Sequence, residues 1–190
     1  GAGISTSLVM DDVVDNIYDR IAELIAVKHL YVALYDSDRD LLRYELVRVN
    51  GQTTHWSNRR LTTEGNQRNV TDEVIRTKSL IHISSPAEML ARHFVLPQTL
   101  DFNAYLGIPL KTGGKVIGVL AVMKDTRFSH SEISVLQTIA NQVNLGIRNT
   151  MLYGDSVALA QNLSRINASL QKIMFNMDYE EALTLSCETA

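Results

Sequence analysis

Apolar residues near the start of the chain recur at steps of three and four: Val13, Val14, Ile17, Ile21, Leu24 and Ile25. That spacing puts them on one stripe of a helix and predicts an amphipathic helix from about Leu8 to Val27. Asp11, Asp12 and Asp15 fall in its first turns, where carboxylates complement the helix dipole. The pattern then shortens into two strand-like runs, Leu30 to Tyr35 and Leu42 to Val49. In the second run Leu42, Tyr44 and Leu46 alternate with Arg43, Glu45 and Arg48, which predicts one solvated face. The polar stretch from Asp36 to Asp40 is turn-prone, so the two runs read as a hairpin.

Residues 50–68 carry no period. Asn50-Gly51 and Gly65-Asn66 punctuate them, and the stretch reads as loop. A short helix is predicted from Thr71 to Thr77, with Asn69 or Thr71 as its cap. A strand follows at Leu80 to Ile83. Ser84 to Leu100 reads as loop with one helical turn near Glu88, and a loop of that length inside a compact domain often carries function. The clearest stretch runs from Tyr105 to Met123. Leu106 to Leu110 and Val116 to Val122 flank Gly113-Gly114, which supplies the positive φ of a tight hairpin turn. The second of these strands is apolar at nearly every position, as expected of a central strand covered on both faces. Pro109 belongs where no ladder N–H is needed.

A further helix is predicted to start between Ser129 and Ser131, with Glu132 in its first turn. Ile133, Leu136, Ala140, Val143 and Ile147 mark its apolar stripe. A second series, Leu159, Leu163, Ile166, Leu170, Ile173 and Met177, has heptad spacing. The two series differ in register, and the shift falls across Thr150 to Val157, around Gly154. The first is expected to pack on the chain's own sheet and the second against the same helix of a second copy. Met10 to Val14 is echoed by Tyr179 to Leu183. The expected organisation is one domain over 1–152, a helical coiled-coil linker over 153–177, and the start of a second such domain over 178–190.

The 190 residues suit one domain with an appendage, and 45% hydrophobic content suffices for a core. A net charge of −3 and scattered basic residues, densest at Arg59-Arg60, argue against nucleic acid and anionic membrane as partners. The lone Cys187 excludes an intrachain disulfide and a CxxC zinc site, and one free thiol fits a reducing cytoplasm. No apolar run approaches the ~20 residues that span a bilayer. Gly1-Ala2-Gly3-Ile4 lacks the basic and apolar regions of a signal peptide. The expectation is a cytoplasmic chain without membrane insertion.

Taken in order, these features resemble the GAF domain family from about Leu8 to Tyr153. They are the helix ending before Leu30-Tyr31-Val32-Ala33-Leu34-Tyr35, then Val74 to Leu80, and the hairpin from Leu106 to Leu120. Phe128-Ser129, Glu132, Leu136, Ile139 to Val143, Asn149 and Leu152-Tyr153 close the set. The resemblance implies an α+β fold: a central antiparallel sheet of five or six strands, terminal helices packed on one face, and variable loops on the other. It implies a regulatory small-molecule sensor, dimeric through its terminal helices, that signals to an output domain such as a histidine kinase or to a second sensory domain. It does not imply an enzyme. Cyclic-nucleotide-binding members often carry an Asn-Lys…Phe…Asp-Glu signature. Here Lys124 and Phe128 fit, while Met123 replaces the Asn and Glu132-Ile133 replace the Asp-Glu. With no cysteine before Cys187, thioether attachment of a bilin and the redox cysteines of methionine-sulfoxide-reductase relatives are both missing from this region. No cofactor is assigned.

Six residues are candidate ligand contacts, each with a plain alternative. Trp56, with Arg59 and Arg60, is either a lid stacking on a planar ligand or an aromatic that tucks a loop onto the sheet. His82 is a pocket-facing donor, a haem ligand, or a strand histidine on the wetter face. His93, beside Arg92, faces a ligand or solvent. Asn103 and Tyr105 share parity and either supply an amide and a phenol to a pocket or make hydrogen bonds at the sheet end. His82, His93 and Asp101 have no metal-ligand spacing. The functional expectation is ligand sensing between the sheet and the loops from Gln52 to Asn103. The alternative is a ligand-free dimerisation and relay module whose pocket is filled by its own side chains.

Overall fold

A computed structural model describes residues 18–62, 68–96 and 100–148. In chain order the elements are helix α1 (18–24 of the described residues), strands β1 (His29–Asp36), β2 (Leu41–Val49), β3 (Gln52–Thr53), β4 (Arg59–Arg60) and β5 (Arg68–Asn69), helix α2 (Val70–Thr77), strand β6 (Ile81–Ile83), helix α3 (Pro86–Ala91), strands β7 (Phe94–Val95), β8 (Ala104–Thr112) and β9 (Lys115–Lys124), and helix α4 (130–148). The main sheet is antiparallel in the order β3-β2-β1-β9-β8-β6, and β4 also pairs with β2. β5 and β7 form a separate parallel pair. The sheet therefore has seven strands. The two beyond the core of the expected fold, β3 and β4, have two residues each and lie in the stretch read as loop.

β9 lies between β1 and β8, and every residue from Gly118 to Lys124 is buried. Period-two alternation divides its side chains. Leu120 and Val122 join Ile21 of α1, Ile25 just after it, and Leu136, Ile139, Ala140, Val143 and Ile147 of α4 in one core. Val119, Ala121 and Met123 join Val70, Val74 and Ile75 of α2 in a second core on the opposite face. The terminal helices thus share one face, and α2 with the connecting loops covers the other. Leu24 departs from the expected apolar stripe. It is 65% exposed, as is Leu145 at 57%, because the sheet takes only the part of each helix that carries Ile21, Val143 and Ile147.

The ends of these elements follow from local chemistry. Asn69 caps α2 by accepting the Thr71 N–H at 3.0 Å, which settles the choice between the two candidates. Gly113 and Gly114 take φ of +58° and +80° in the β8–β9 turn. β6 ends its pairing at Gly107, so Pro109 lies beyond the paired stretch of that edge. Ser129 and Glu132 cap α4 reciprocally: the Ser129 N–H donates to the Glu132 carboxylate and the Glu132 N–H to Ser129 Oγ. The same carboxylate pairs with Lys124, which is 4% exposed and lies over the Phe128 ring.

One end of the sheet is gathered by Lys28, between α1 and β1. Its Nζ donates to Asp101 at 2.8 Å and to Asp125 at 3.0 Å. Those two hydrogen bonds hold the ammonium above its usual pKa and the Asp101 carboxyl below its own. Buried His29 takes the Asn50 N–H on Nδ1 and donates from Nε2 to the Asp101 carbonyl at 2.8 Å. The link leading into β8 is therefore tied to the α1–β1 and β9–α4 junctions together. Among the described residues no helix is long and apolar enough to cross a membrane. The helix start near Leu8, the register shift at Gly154, the heptad series, the echo at Tyr179 and Cys187 lie outside the described residues.

Two predictions follow from this packing. A Cβ at Gly118 would sit 2.4 Å from the Ala33 carbonyl oxygen, a backbone atom fixed in the neighbouring strand. Gly118→Ala is expected to lower unfolding free energy by about 1–3 kcal/mol in urea titrations, whereas Thr112→Ala beside the turn leaves this contact intact. The second concerns acid. Partial burial pushes the Glu132 carboxyl up, and its bonds to Lys124 and Ser129 outweigh this, leaving the folded pKa below the usual 4.5. Its stabilisation is complete above the unfolded value and is lost as pH falls through the folded one. Glu132→Gln should therefore cost stability near neutral pH, with the deficit shrinking below about pH 4.5.

Candidate functional site

The floor of the site is a row of the sheet with little side chain in its middle. Tyr31 of β1 pairs with Ala121 of β9, which pairs in turn with Gly107 of β8. Into the space above Ala121 and Gly107 reach the phenols of Tyr31 and of Tyr105. A Cβ at Gly107 would lie 2.6 Å from the Tyr105 hydroxyl and 2.8 Å from Val74 Cγ2, so this glycine admits both the tyrosine and helix α2. The Tyr31 hydroxyl is 2.6 Å from Thr71 Oγ1 and 3.2 Å from the Tyr105 hydroxyl. Tyr31, Tyr105 and Thr71 are all fully buried. Burial raises the pKa of both phenols, and they remain protonated.

Beside this floor stands a charged pair. Asp72, in the first turn of α2, is fully buried. Its Oδ1 accepts from Arg59 Nη2 at 2.6 Å; its Oδ2 accepts from Arg59 Nη1 at 3.1 Å and from the Thr62 N–H at 2.7 Å. Arg59 also donates through Nε to the Tyr44 hydroxyl and through Nη1 to the Arg60 carbonyl. Burial lowers the guanidinium pKa, but Asp72 and Tyr44 outweigh it and the net shift is upward. The bidentate fork anchors β4, only two residues long, to α2.

Trp56 closes the assembly. It comes from 54–58, which has neither strand nor helix, and is half-buried. Its ring centroid lies 5.3 Å from that of Tyr31 and 5.2 Å from that of Tyr44, and the two tyrosine rings meet edge-on at 5.7 Å. Leu61, Met89, Leu96, Leu100 and Phe102 pack around the same core, each partly exposed.

Of the six residues picked from sequence, the fold brings Trp56 and Tyr105 into this one core. Arg60 is exposed: in two-residue β4 only one arginine can turn inward, and it is Arg59. His82 alternates with Ile81 and Ile83, which face the α2 side, and so faces the terminal helices. Its ring meets Phe128 edge-on at 5.9 Å, and its buried Nε2 has no hydrogen-bond partner among the described residues. His93 is an exposed residue at φ +53° after α3. Asn103 precedes β8, is exposed, and donates to the Asp125 carbonyl at 3.0 Å, the sheet-end bond among its two readings. Sequence reasoning missed Tyr31, Tyr44, Thr71 and Asp72. Among the described residues no three His, Cys, Asp or Glu side chains converge as a metal site. A separate groove of about 250 Å³ lies on the helical face, where Pro109, Leu110 and Lys111 meet Gln137, Asn141 and Asn144 of α4.

Removing one member of the charged pair strands the other in a largely dry site. Asp72→Ala should cost about 3 kcal/mol of stability, and the double variant Arg59→Met, Asp72→Leu markedly less. Chemical denaturation of the three proteins checks the order.

The GAF domain family matches residues 7–148. Solved structures with the same fold include the GAF domain of an Acinetobacter phosphoenolpyruvate-protein phosphotransferase, at 20% identity over 77% of this chain and 86% of that one, with a TM-score of 0.59. The GAF domain of a two-component sensor histidine kinase from Bacillus halodurans gives 20% identity over 76% and 97%, with a TM-score of 0.61. A type II free methionine-R-sulfoxide reductase from Thermoplasma acidophilum gives 12% identity over 74% and 95%, with a TM-score of 0.54. These identities speak for the fold alone. A search of curated proteins found no match. With an antiparallel sheet, its terminal helices on one face and its loops on the other, and with the family match spanning most of its length, this chain belongs to the GAF domain family.

Proposed function

We propose that this domain is a regulatory small-molecule sensor that passes ligand occupancy through its terminal helices to an output domain such as a histidine kinase. The observation that carries the reading is Trp56, held by an irregular loop against the Tyr31 and Tyr44 rings, on the face away from those helices and in the same core as the Tyr31–Thr71–Tyr105 hydroxyls. Tyr105 and Trp56 are the sequence-chosen residues in the proposed site, joined by Tyr31, Tyr44 and Arg59. Arg60, His82, His93 and Asn103 lie outside it. The path to the helices is the Lys28 bridge, since Asp101 ends the connection over the sensing face while Lys28 and Asp125 adjoin α1 and α4. Relay requires that ligand bind two states of the domain with different affinity. The exposed Leu24 and Leu145 support pairing of the helical face with a second copy.

A second reading, a ligand-free dimerisation and relay module, is favoured by the mutual contact of the three aromatic rings, which fills the space over the floor. Trp56 is the only tryptophan in the chain, so its emission reports the lid alone. Under the sensing reading, some compound in a metabolite panel raises the melting temperature and shifts that emission together. A panel that moves neither, with a native mass spectrum showing no adduct lost on denaturation, favours the relay module.

A further inference from the structure

Resting on the sensing reading, we infer the chemical class of the ligand: an uncharged, planar, two-ring heteroaromatic compound that takes the place now held by the Trp56 indole.

The charge of the site favours a neutral ligand. A guanidinium has five N–H donors. On Arg59 one goes to Tyr44, one to the Arg60 carbonyl and two to Asp72. Asp72 in turn accepts three donors. Four of the five donors are committed and the pair is neutral as a whole, so it offers an incoming phosphate or carboxylate little net positive charge. Of the neighbouring cations, Arg68 pairs with Glu73, Arg76 donates to the Thr62 carbonyl, and Arg60 is exposed and turned away from the core. The floor itself presents hydroxyls held protonated by burial. An ion driven into this site would lose its hydration without a partner, which is strongly unfavourable.

The shape of the site favours a flat ligand. Tyr31 and Tyr44 meet nearly at right angles, at 72°, and the indole sits 5.2–5.3 Å from both ring centroids. These separations lie within the range in which aromatic rings attract one another. The indole is thus a template of the volume and flatness that the two tyrosines accept. The Tyr31, Thr71 and Tyr105 hydroxyls can each accept two hydrogen bonds. Their mutual bonds leave acceptor capacity for ring N–H groups on a ligand.

The indole can leave this place. Trp56 lies in 54–58 between two anchored ends: β3 has two residue pairs, and β4 has two pairs and the Arg59–Asp72 fork, while 54–58 between them has no strand or helix of its own. Swinging it outward breaks no pair between β1, β9 and β8. A weakly held segment of this kind opens at low cost relative to global unfolding.

The test uses the full chain, as wild type and as Trp56→Ala, with three probes: indole, benzimidazole and indole-3-carboxylate. Binding is read by thermal shift and by two-dimensional NMR, where wild type gives a single indole N–H signal. Trp56→Ala should melt lower, and millimolar indole or benzimidazole should recover at least half of the loss. Indole-3-carboxylate should bind at least tenfold more weakly. Wild type should bind the two neutral probes at least tenfold more weakly than the variant does, with displacement of the indole N–H signal, because Trp56 must be moved. Equal or tighter binding of the carboxylate by either protein overturns the inferred class. A wild-type ligand that is charged or not planar, yet moves the Trp56 signal, overturns the class while leaving the sensing reading intact. If the variant accepts indole while wild type binds neither these probes nor any panel compound, Trp56 is a permanent core residue and the sensing reading fails with the inference. Should Trp56→Ala not fold, Trp56→Phe and the wild-type titrations decide the same questions.

Discussion

Strand β9 has no face in water, and the rest of the domain is arranged around that constraint. Its apolar side chains leave the sheet in both directions, so each face must be covered by an independent layer. α1 and α4, from opposite ends of the described chain, supply one layer, while α2 and the connections between strands supply the other. Gly118 lets β1 approach β9 closely, and the inner sheet becomes a rigid partition between the two layers. Anything recognised on the loop side must reach the helices around this partition or at its ends.

The loop-side layer differs in kind from the helical one. The helical core is mostly aliphatic, with Phe128 and one histidine whose buried Nε2 lacks a partner among the described residues. The loop side holds a bidentate ion pair, a hydroxyl cluster and the mutually packed rings of Tyr31, Tyr44 and Trp56. Buried polar groups add little net stability over a well-packed apolar core. Here they fix the orientation of side chains on short elements that would otherwise be poorly held. The Arg59–Asp72 fork holds β4, and β4 positions the loop that presents Trp56. Conformational specificity at the site is thus drawn from interactions that stability alone would not require.

Much of this architecture was legible in the sequence. Continuous apolar runs marked β1 and β9, alternation marked β2, Gly113-Gly114 marked the hairpin of β8 with β9, and the three-four spacing of Leu136, Ala140, Val143 and Ile147 marked the buried stripe of α4. β3 and β4 were not legible, because two residues carry no period. The site was harder to read for related reasons. In β1 the six residues from His29 to Leu34 are all buried, so burial pattern gives no sign of which face Tyr31 joins. Asp72 resembles any acid in the first turn of a helix, and only the fold reveals its guanidinium partner. The choice between Arg59 and Arg60 depends on the direction of a strand too short to predict. Parity suggested a common face for Asn103 and Tyr105, but Asn103 precedes β8 and bonds at the sheet end.

The vacancy at Gly107 is filled from two residues away along the same strand. The Tyr105 phenol occupies the place where a side chain at 107 would stand, with Val74 of α2 sealing it from above. The three positions therefore draw on a single volume. A Cβ at 107 meets both the Tyr105 hydroxyl and Val74, so enlarging 107 requires a shorter or displaced residue at 105 and a shift of Val74, and the first change takes the Tyr105 hydroxyl from the floor. Residues 74, 105 and 107 are therefore sterically interdependent. A descendant of this domain that traded the glycine for a larger residue would have to rebuild its recognition chemistry in the same step.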